Sequence, residues 1–221
     1  MATIFTIPII IAFFFAPKNL HSGYKIDWFE RLKMKIITLT KENDRLIQQA
    51  ARLLVNAFRE HWAGAWSTLE EGLQEVHEML EAERICRAAL DDEENLLGII
   101  GGIPQYDGHV WELHPLAVQP NMQGKGIGKT LVADFEEQAQ LRGGLTITLG
   151  SDDEDDMTSL SGVDLYENLW EKVRDIRNFK RHPFEFYQKM GYIISGVVPD
   201  ANGVGKPDII MSKKVANDKI S

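Results

Sequence analysis

From Met34 onward the apolar positions follow two periods, and their alternation lays out an α/β chain. Lys35–Leu39 alternates as a strand, and Thr40 stands where a helix N-cap belongs. Leu46, Ile47, Ala50, Leu53, Leu54, Ala57, Phe58 and Trp62 fall on one face of a long helix. Ser67-Thr-Leu-Glu70 reads as a capping box opening a second helix, with Leu69, Leu73, Val76, Met79 and Leu80 inward. Ile85–Leu90 and Leu96–Ile103 are expected strands around the acidic turn Asp91–Asn95. Asp107-Gly108 then turns the chain into an apolar strand that runs through Glu112, Leu113 and His114 to Val118. Ile127, Leu131, Val132, Phe135 and Ala139 repeat at helical spacing, and Gly143-Gly144 is a stop signal. Leu145, Ile147 and Leu149 make the next strand. Helical stretches near Asp164–Arg177 and Pro183–Met190, and strands near Tyr192–Val198 and Asp208–Ser212, complete the pattern.

Without internal repeats or a low-complexity linker, this implies one mixed domain of about 180 residues. The expected division is an N-terminal extension at 1–33, a domain at 34–215 and a tail at 216–221. Thr3–Ala16 is apolar, but Pro8 interrupts it and it is shorter than the roughly 20 residues of a membrane span. No Lys or Arg precedes it, as a secretory signal would require. We expect the extension to be dispensable; a weak membrane anchor is the competing reading.

Composition narrows the function without choosing it. The 221 residues carry a formal charge of −9, which argues against nucleic acid and suits a cationic ligand or simple solubility. The single cysteine, Cys86, excludes an internal disulfide and fits a reducing compartment; its apolar run marks a buried thiol. No Cys/His cluster has metal-ligand spacing.

Chemistry concentrates in the stretch from Trp111 to Leu131. Three glycines at alternate positions (Gly124, Gly126, Gly128) lead from the strand into a helix. Such a turn aims backbone N–H groups at one point, where the helix dipole favours an anion. The nucleotide phosphate loop fails by one residue, because Gln123 stands five positions before Gly128-Lys129-Thr130. The dinucleotide fingerprint fails because Lys129 takes the place of its last glycine. Pro115 gives the sheet no N–H, which implies a bulge, an edge or a splay in the strand before the turn. Glu112 and His114, two apart on that strand, leave the same face.

The spacing Gln123, Gly126, Gly128 resembles the pyrophosphate loop of the GNAT acetyltransferases, and the order of strands and helices matches that family. Trp111-Glu-Leu-His-Pro-Leu, Ile103-Pro-Gln-Tyr106, Gly143–Gly150, Asp164-Leu-Tyr-Glu167, His182–Tyr187 and Pro199–Gly203 together resemble aminoglycoside 6′-N-acetyltransferases of that family, from Met34 to about Val215. The resemblance implies an α/β (α+β mixed) GNAT acyl-CoA N-acyltransferase fold, with a splayed central sheet flanked by helices. It also implies acetyl-coenzyme A as co-substrate. Backbone donors of Leu116, Ala117 and Val118 would hold the pantetheine arm, with the Leu116 N–H on the thioester oxygen. Gln123, Gly124, Lys125, Gly126, Ile127, Gly128 and Lys129 would hold the pyrophosphate.

On the same ground Glu112 would orient the acceptor ammonium and help it shed a proton, with His114 beside it. Tyr187 would protonate the leaving thiolate. The acidic run Ser151–Asp156 follows a strand end and suits a polycation; by resemblance Asp152 and Asp155 are the expected contacts, with Trp62 and Tyr106 walling the sugar site. The expected function is a cytoplasmic acetyl-coenzyme A-dependent enzyme, a homodimer by resemblance. It would acetylate the 6′-amine of aminoglycosides in a ternary complex, without a metal, nucleic acid or membrane. Acetylation of another amine (a polyamine or protein terminus), a coenzyme A sensor without turnover and a nucleotide-binding module are the alternatives.

Overall fold

A computed structural model describes residues 33–59 and 64–216. The expected extension and tail, and Trp62, therefore lie outside the described residues, apart from Lys33 and Ala216. The strands are β1 (Lys35–Thr38), β2 (Ile85–Leu90), β3 (Leu96–Gln105), β4 (Val110–Val118), β5 (Thr146–Leu149), β6 (Ile193–Val198) and β7 (Asp208–Lys214). The helices are α1 (Asp44–Phe58), α2 (Leu69–Met79), α3 (Ile127–Leu141), α4 (Leu169–Arg174) and α5 (Phe184–Lys189). The strands form one mixed sheet in the order β1-β2-β3-β4-β5-β7-β6. Among the described residues only the β4–β5 pairing is parallel, as the α3 crossover between them requires.

Each face of the sheet has its own core. Trp111, Leu113 and Ile147 pack with Leu131, Phe135 and Ala139 of α3. Ile99 and Ala117 pack with Leu46, Leu54 and Phe58 of α1 and with Val76 and Met79 of α2. α3 lies so close to β3 that a Cβ on Gly102 would stand 2.2 Å from the Phe135 ring, which is why that strand position has no side chain.

Several element boundaries differ from the sequence expectation. Asn43, not Thr40, precedes α1; its side-chain oxygen instead accepts from the Thr40 N–H at 3.1 Å, closing a turn before the helix. The capping box is real but shifted by one, with Thr68 accepting from the Glu71 N–H and Glu71 reaching back to the Thr68 N–H. That shift turns Leu69 outward, 39% exposed, and buries Gly72 and Glu75 instead. Gly72 admits the close approach of α1, since a Cβ there would meet the Ala51 carbonyl at 2.8 Å. The stretch 164–177 keeps a helix only at Leu169–Arg174, because Asn168 adopts φ 53° and breaks the run.

Pro115 marks an irregularity that shapes the sheet. Ile100 pairs with Leu116 and Gly102 with Leu113, so His114 and Pro115 together face Gly101. This is a β-bulge, one extra residue on β4. Its geometry depends on Gly101, whose Cβ would lie 2.2 Å from the His114 carbonyl oxygen. Gly101→Ala is therefore expected to destabilise the fold by about 2 kcal/mol, the overpacking range, read as a lowered midpoint in urea unfolding.

Candidate active site

The edge of β4 facing β5 is closed over only three residues. Val110, Trp111 and Glu112 pair with Thr146, Ile147 and Thr148, and the pairing ends there. Past Leu149 the chain stays with β7: the Ser151 and Asp153 N–H groups donate to the Ile209 and Pro207 carbonyls. β4 from Leu113 to Val118 thus keeps β3 on one side and loses its neighbour on the other. This is the splay expected from Pro115.

The register decides which amides face that opening. The Gln119 N–H donates to the Leu97 carbonyl at 2.9 Å, so the alternation of an antiparallel pair turns the Ala117 N–H toward Ile99. The N–H groups of Leu116 and Val118 point the other way, into the gap. Ala117, expected as a third donor, spends its N–H in the sheet. Gln123 ties the gap to the turn that follows it, donating from its side-chain amide to the Val118 carbonyl at 3.3 Å.

Gly124 (φ 75°) and Gly126 (φ 87°) adopt the left-handed conformation that a side chain disfavours. Gly126 occupies the N-cap of α3 without a side-chain cap. The first intrahelical bond runs from the Thr130 N–H to the Gly126 carbonyl, at 3.0 Å. The amides of Ile127, Gly128 and Lys129 thus have no carbonyl one turn back, which is the arrangement an anion occupies. Ile127 and Gly128 are buried in the α3 core, whereas Lys125 and Lys129 are exposed beside them.

Glu112 sits at the last rung before the gap, half-buried, and accepts from the Gln105 side-chain amide at 3.0 Å. Trp111 and Leu113 point to the α3 core, so Glu112 and His114 project to the opposite face, as expected. Their surroundings differ. His114 is buried against the Trp66 ring, with its Nε2 3.5 Å from the carboxylate of Glu75 in α2. Glu75 carries no signal in the sequence beyond one acid on an amphipathic helix.

Beyond Glu112 the same sheet face is polar. Thr148, Ser212 and Ser195 are linked through their hydroxyls, the first two half-buried and the third exposed. Two carboxylates close this floor. Asp152, fully buried, accepts from the Asn202 side chain, and its other oxygen has no hydrogen-bond partner among the described residues. Asp208 pairs with Asp152 across an isolated β-bridge and also has one buried oxygen without a partner. Burial, reinforced by Asp208, raises the Asp152 pKa to about 8. Burial, with Glu112 nearby, raises Asp208 to about 6. In sequence Asp208 is merely the first residue of a strand; only the β-bridge brings it to the site.

The rest of the acidic run is mixed in purpose. Asp153 is spent on structure, accepting from the Met157 and Thr158 N–H groups at 2.6 and 2.8 Å. Asp155 is half-buried, and its carbonyl accepts from Lys180. His182 is held neutral by burial, its pKa lowered to about 4. Its Nδ1 accepts from the Phe184 N–H, and its Nε2–H donates to the Asp152 carbonyl. Tyr187 is fully buried between Phe186 and Tyr192, and burial raises its hydroxyl pKa well above the ordinary value. That hydroxyl also has no partner among the described residues, a deficit of about 1–3 kcal/mol unless a bound group meets it. Tyr106 is 79% exposed at the β3–β4 turn. Cys86 is buried and its thiol pKa is raised to about 12. Among the described residues no cluster of side chains could hold a metal ion, and no helix is long and apolar enough to cross a membrane.

A model of the acetyltransferase (GNAT) family matches residues 47–169. A crystal structure of an aminoglycoside 6′-N-acetyltransferase complexed with coenzyme A is 44% identical and superimposes with a TM-score of 0.76, covering 82% of this chain and 97% of that one. The aminoglycoside 6′-N-acetyltransferase from Enterococcus faecium is 43% identical over the same shares, with a TM-score of 0.74. A type Ii aminoglycoside 6′-acetyltransferase is 37% identical, again over 82% and 97%, with a TM-score of 0.63. Curated protein sequences give no match.

Asp152 and Asp208 bind their protons more tightly folded than unfolded, so stability should fall as pH rises from the ordinary carboxylate range through about 6 toward about 8. Asp152→Asn removes the larger contribution while still accepting from Asn202. Melting temperatures across that range should show the variant level with the wild type in acid and more stable in alkali.

Proposed function

The chain belongs to the GNAT acetyltransferase family, and we propose that it acetylates the 6′-amine of aminoglycosides with acetyl-coenzyme A. The observation that carries this reading is the open β4 edge running into the uncapped start of α3 beside a carboxylate-lined floor. Acetyl-coenzyme A supplies an activated acyl thioester, and the chain has partners for each of its parts. The amides of Ile127, Gly128 and Lys129 face its pyrophosphate, with Lys125 and Lys129 adding charge. The Val118 and Leu116 N–H groups pair with the pantetheine arm as a missing strand would. The Leu116 N–H donates to the thioester oxygen as that oxygen gains charge, a contribution of about 3 kcal/mol in comparable oxyanion sites.

Glu112 stands where the strands part. It orients the incoming ammonium and takes its proton, directly or through water. His114, locked between Glu75 and Trp66, fixes the bulge that presents Glu112 and Leu116. Tyr187 keeps its proton at neutral pH and gives it to the departing thiolate, which also supplies the partner its hydroxyl lacks. Asp152 and Asp155 hold ammonium groups of the acceptor, and Tyr106 offers its ring to a sugar. Transfer is direct within a ternary complex, since Cys86 is buried with a raised pKa and serves no nucleophilic step. A cytoplasmic homodimer that confers antibiotic resistance, with residues 34–215 as the catalytic domain and the flanking segments dispensable, completes the reading.

Thiol release should be rapid with aminoglycosides that carry a 6′-amine and absent with those bearing a 6′-hydroxyl. Product regiochemistry should place the acetyl group on that nitrogen. Release only with polyamines or peptides would contradict the proposal, and coenzyme A binding without release would indicate a sensor. Glu112→Gln should lower kcat roughly 10²–10⁴-fold, as removal of a general base does, while leaving KM for acetyl-coenzyme A unchanged.

A further inference from the structure

Asp208 has no role in the mechanism above, yet the fold makes room for it. Its carboxylate lies directly over Gly150, where a Cβ would stand 2.4 and 2.7 Å from its two oxygens. Across the β-bridge lies Asp152. Among the described residues each acid keeps one oxygen without any donor. Among the described residues no lysine or arginine forms an ion pair with either carboxylate. The groups that face the pair are Glu112 from β4 toward Asp208, Glu154 from the loop after β5 toward Asp152, Lys206 beside Glu154, the Asn202 side chain on Asp152, the Ser151 backbone on Asp208, and neutral His182 on the Asp152 carbonyl. Two adjacent carboxylates, one buried and one half-buried, with an acidic surround cannot both stay ionised without a cation.

We propose that Asp208 and Asp152 act as one acceptor-binding acid pair, which holds a proton in the free enzyme and releases it when an ammonium group of the acceptor takes its place. The carboxylic O–H bond breaks, its proton passes to water or buffer, and the carboxylate so formed accepts N–H bonds from the ammonium. No other bond changes. The raised pKa values, about 8 and about 6, place this exchange near neutral pH. The pair therefore prefers acceptors with an ammonium group besides the reacting amine, because that group must remain charged to replace the proton. This rests on the acetyl transfer to aminoglycosides proposed above.

Calorimetric titration of the full chain with kanamycin near neutral pH, in two buffers of different ionisation enthalpy, counts the protons released. Comparison with Asp208→Asn cancels protons exchanged by the ligand itself. The wild type should release more protons per site than the variant, because Asp208 reinforces the hold of buried Asp152 on its proton. In turnover, Asp208→Asn should raise KM for kanamycin about 10–100-fold, the loss of one charge-assisted contact, with KM for acetyl-coenzyme A unchanged. Gly150→Ala gives a second route: its methyl displaces the Asp208 carboxylate while keeping the charge, and the acceptor KM should rise about tenfold with the same selectivity. An enzyme that acetylates kanamycin normally, yet shows equal proton counts and equal acceptor KM in Asp208→Asn, overturns the acid pair alone. A wild type that neither binds nor acetylates kanamycin overturns the activity as well.

Discussion

The structure depends on a backbone that runs out of neighbours. β4 holds β5 for three residues, then continues with β3 alone, while the chain after β5 follows β7. An unpaired strand edge inside a protein is costly, because buried amides without acceptors lose several kcal/mol of hydration each unless something replaces it. Here the edge leads straight to the start of α3, where further amides stand uncapped. The same deficit therefore extends along one continuous line from Leu116 through Val118 to Lys129. A ligand that is extended, polar along its length and anionic at one end answers all of it, which describes coenzyme A chemically.

The gap is held open by packing rather than by any one contact. Phe135 drops into the space over Gly102, and Gly98 lies close to Leu131, so α3 rides low on β3. On the other face Met79 and the His114 carbonyl leave no room for a side chain at Gly101. Between these two layers β4 cannot slide back to restore regular pairing. The bulge and the splay are thus properties of the two cores, and they exist before any ligand binds.

Much of this was legible in the sequence because it rests on local signals. Pro115 points to an irregular strand, and the glycines with their spacing from Gln123 point to the anion turn. Glu112 and His114 could be assigned to one face from their two-residue separation. What escaped was whatever depends on distant segments meeting. Asp208 enters the site only because β7 lies beside the end of β5, and Glu75 only because α2 packs under His114. Trp62, expected on the same helical face as Phe58, lies outside the described residues. The helix caps were misplaced by one to three residues for a related reason: Thr40 and Asn43, or Ser67 and Thr68, are chemically near-equivalent caps, and tertiary packing chooses between them.

Residue-resolved amide hydrogen exchange, with and without coenzyme A, tests this account most directly. In the free protein the Leu116 and Val118 amides should exchange faster than that of Ala117, and coenzyme A should protect them together with Ile127, Gly128 and Lys129. Equal protection of all three strand amides before ligand is added, unchanged by coenzyme A, would contradict the open edge on which the account stands.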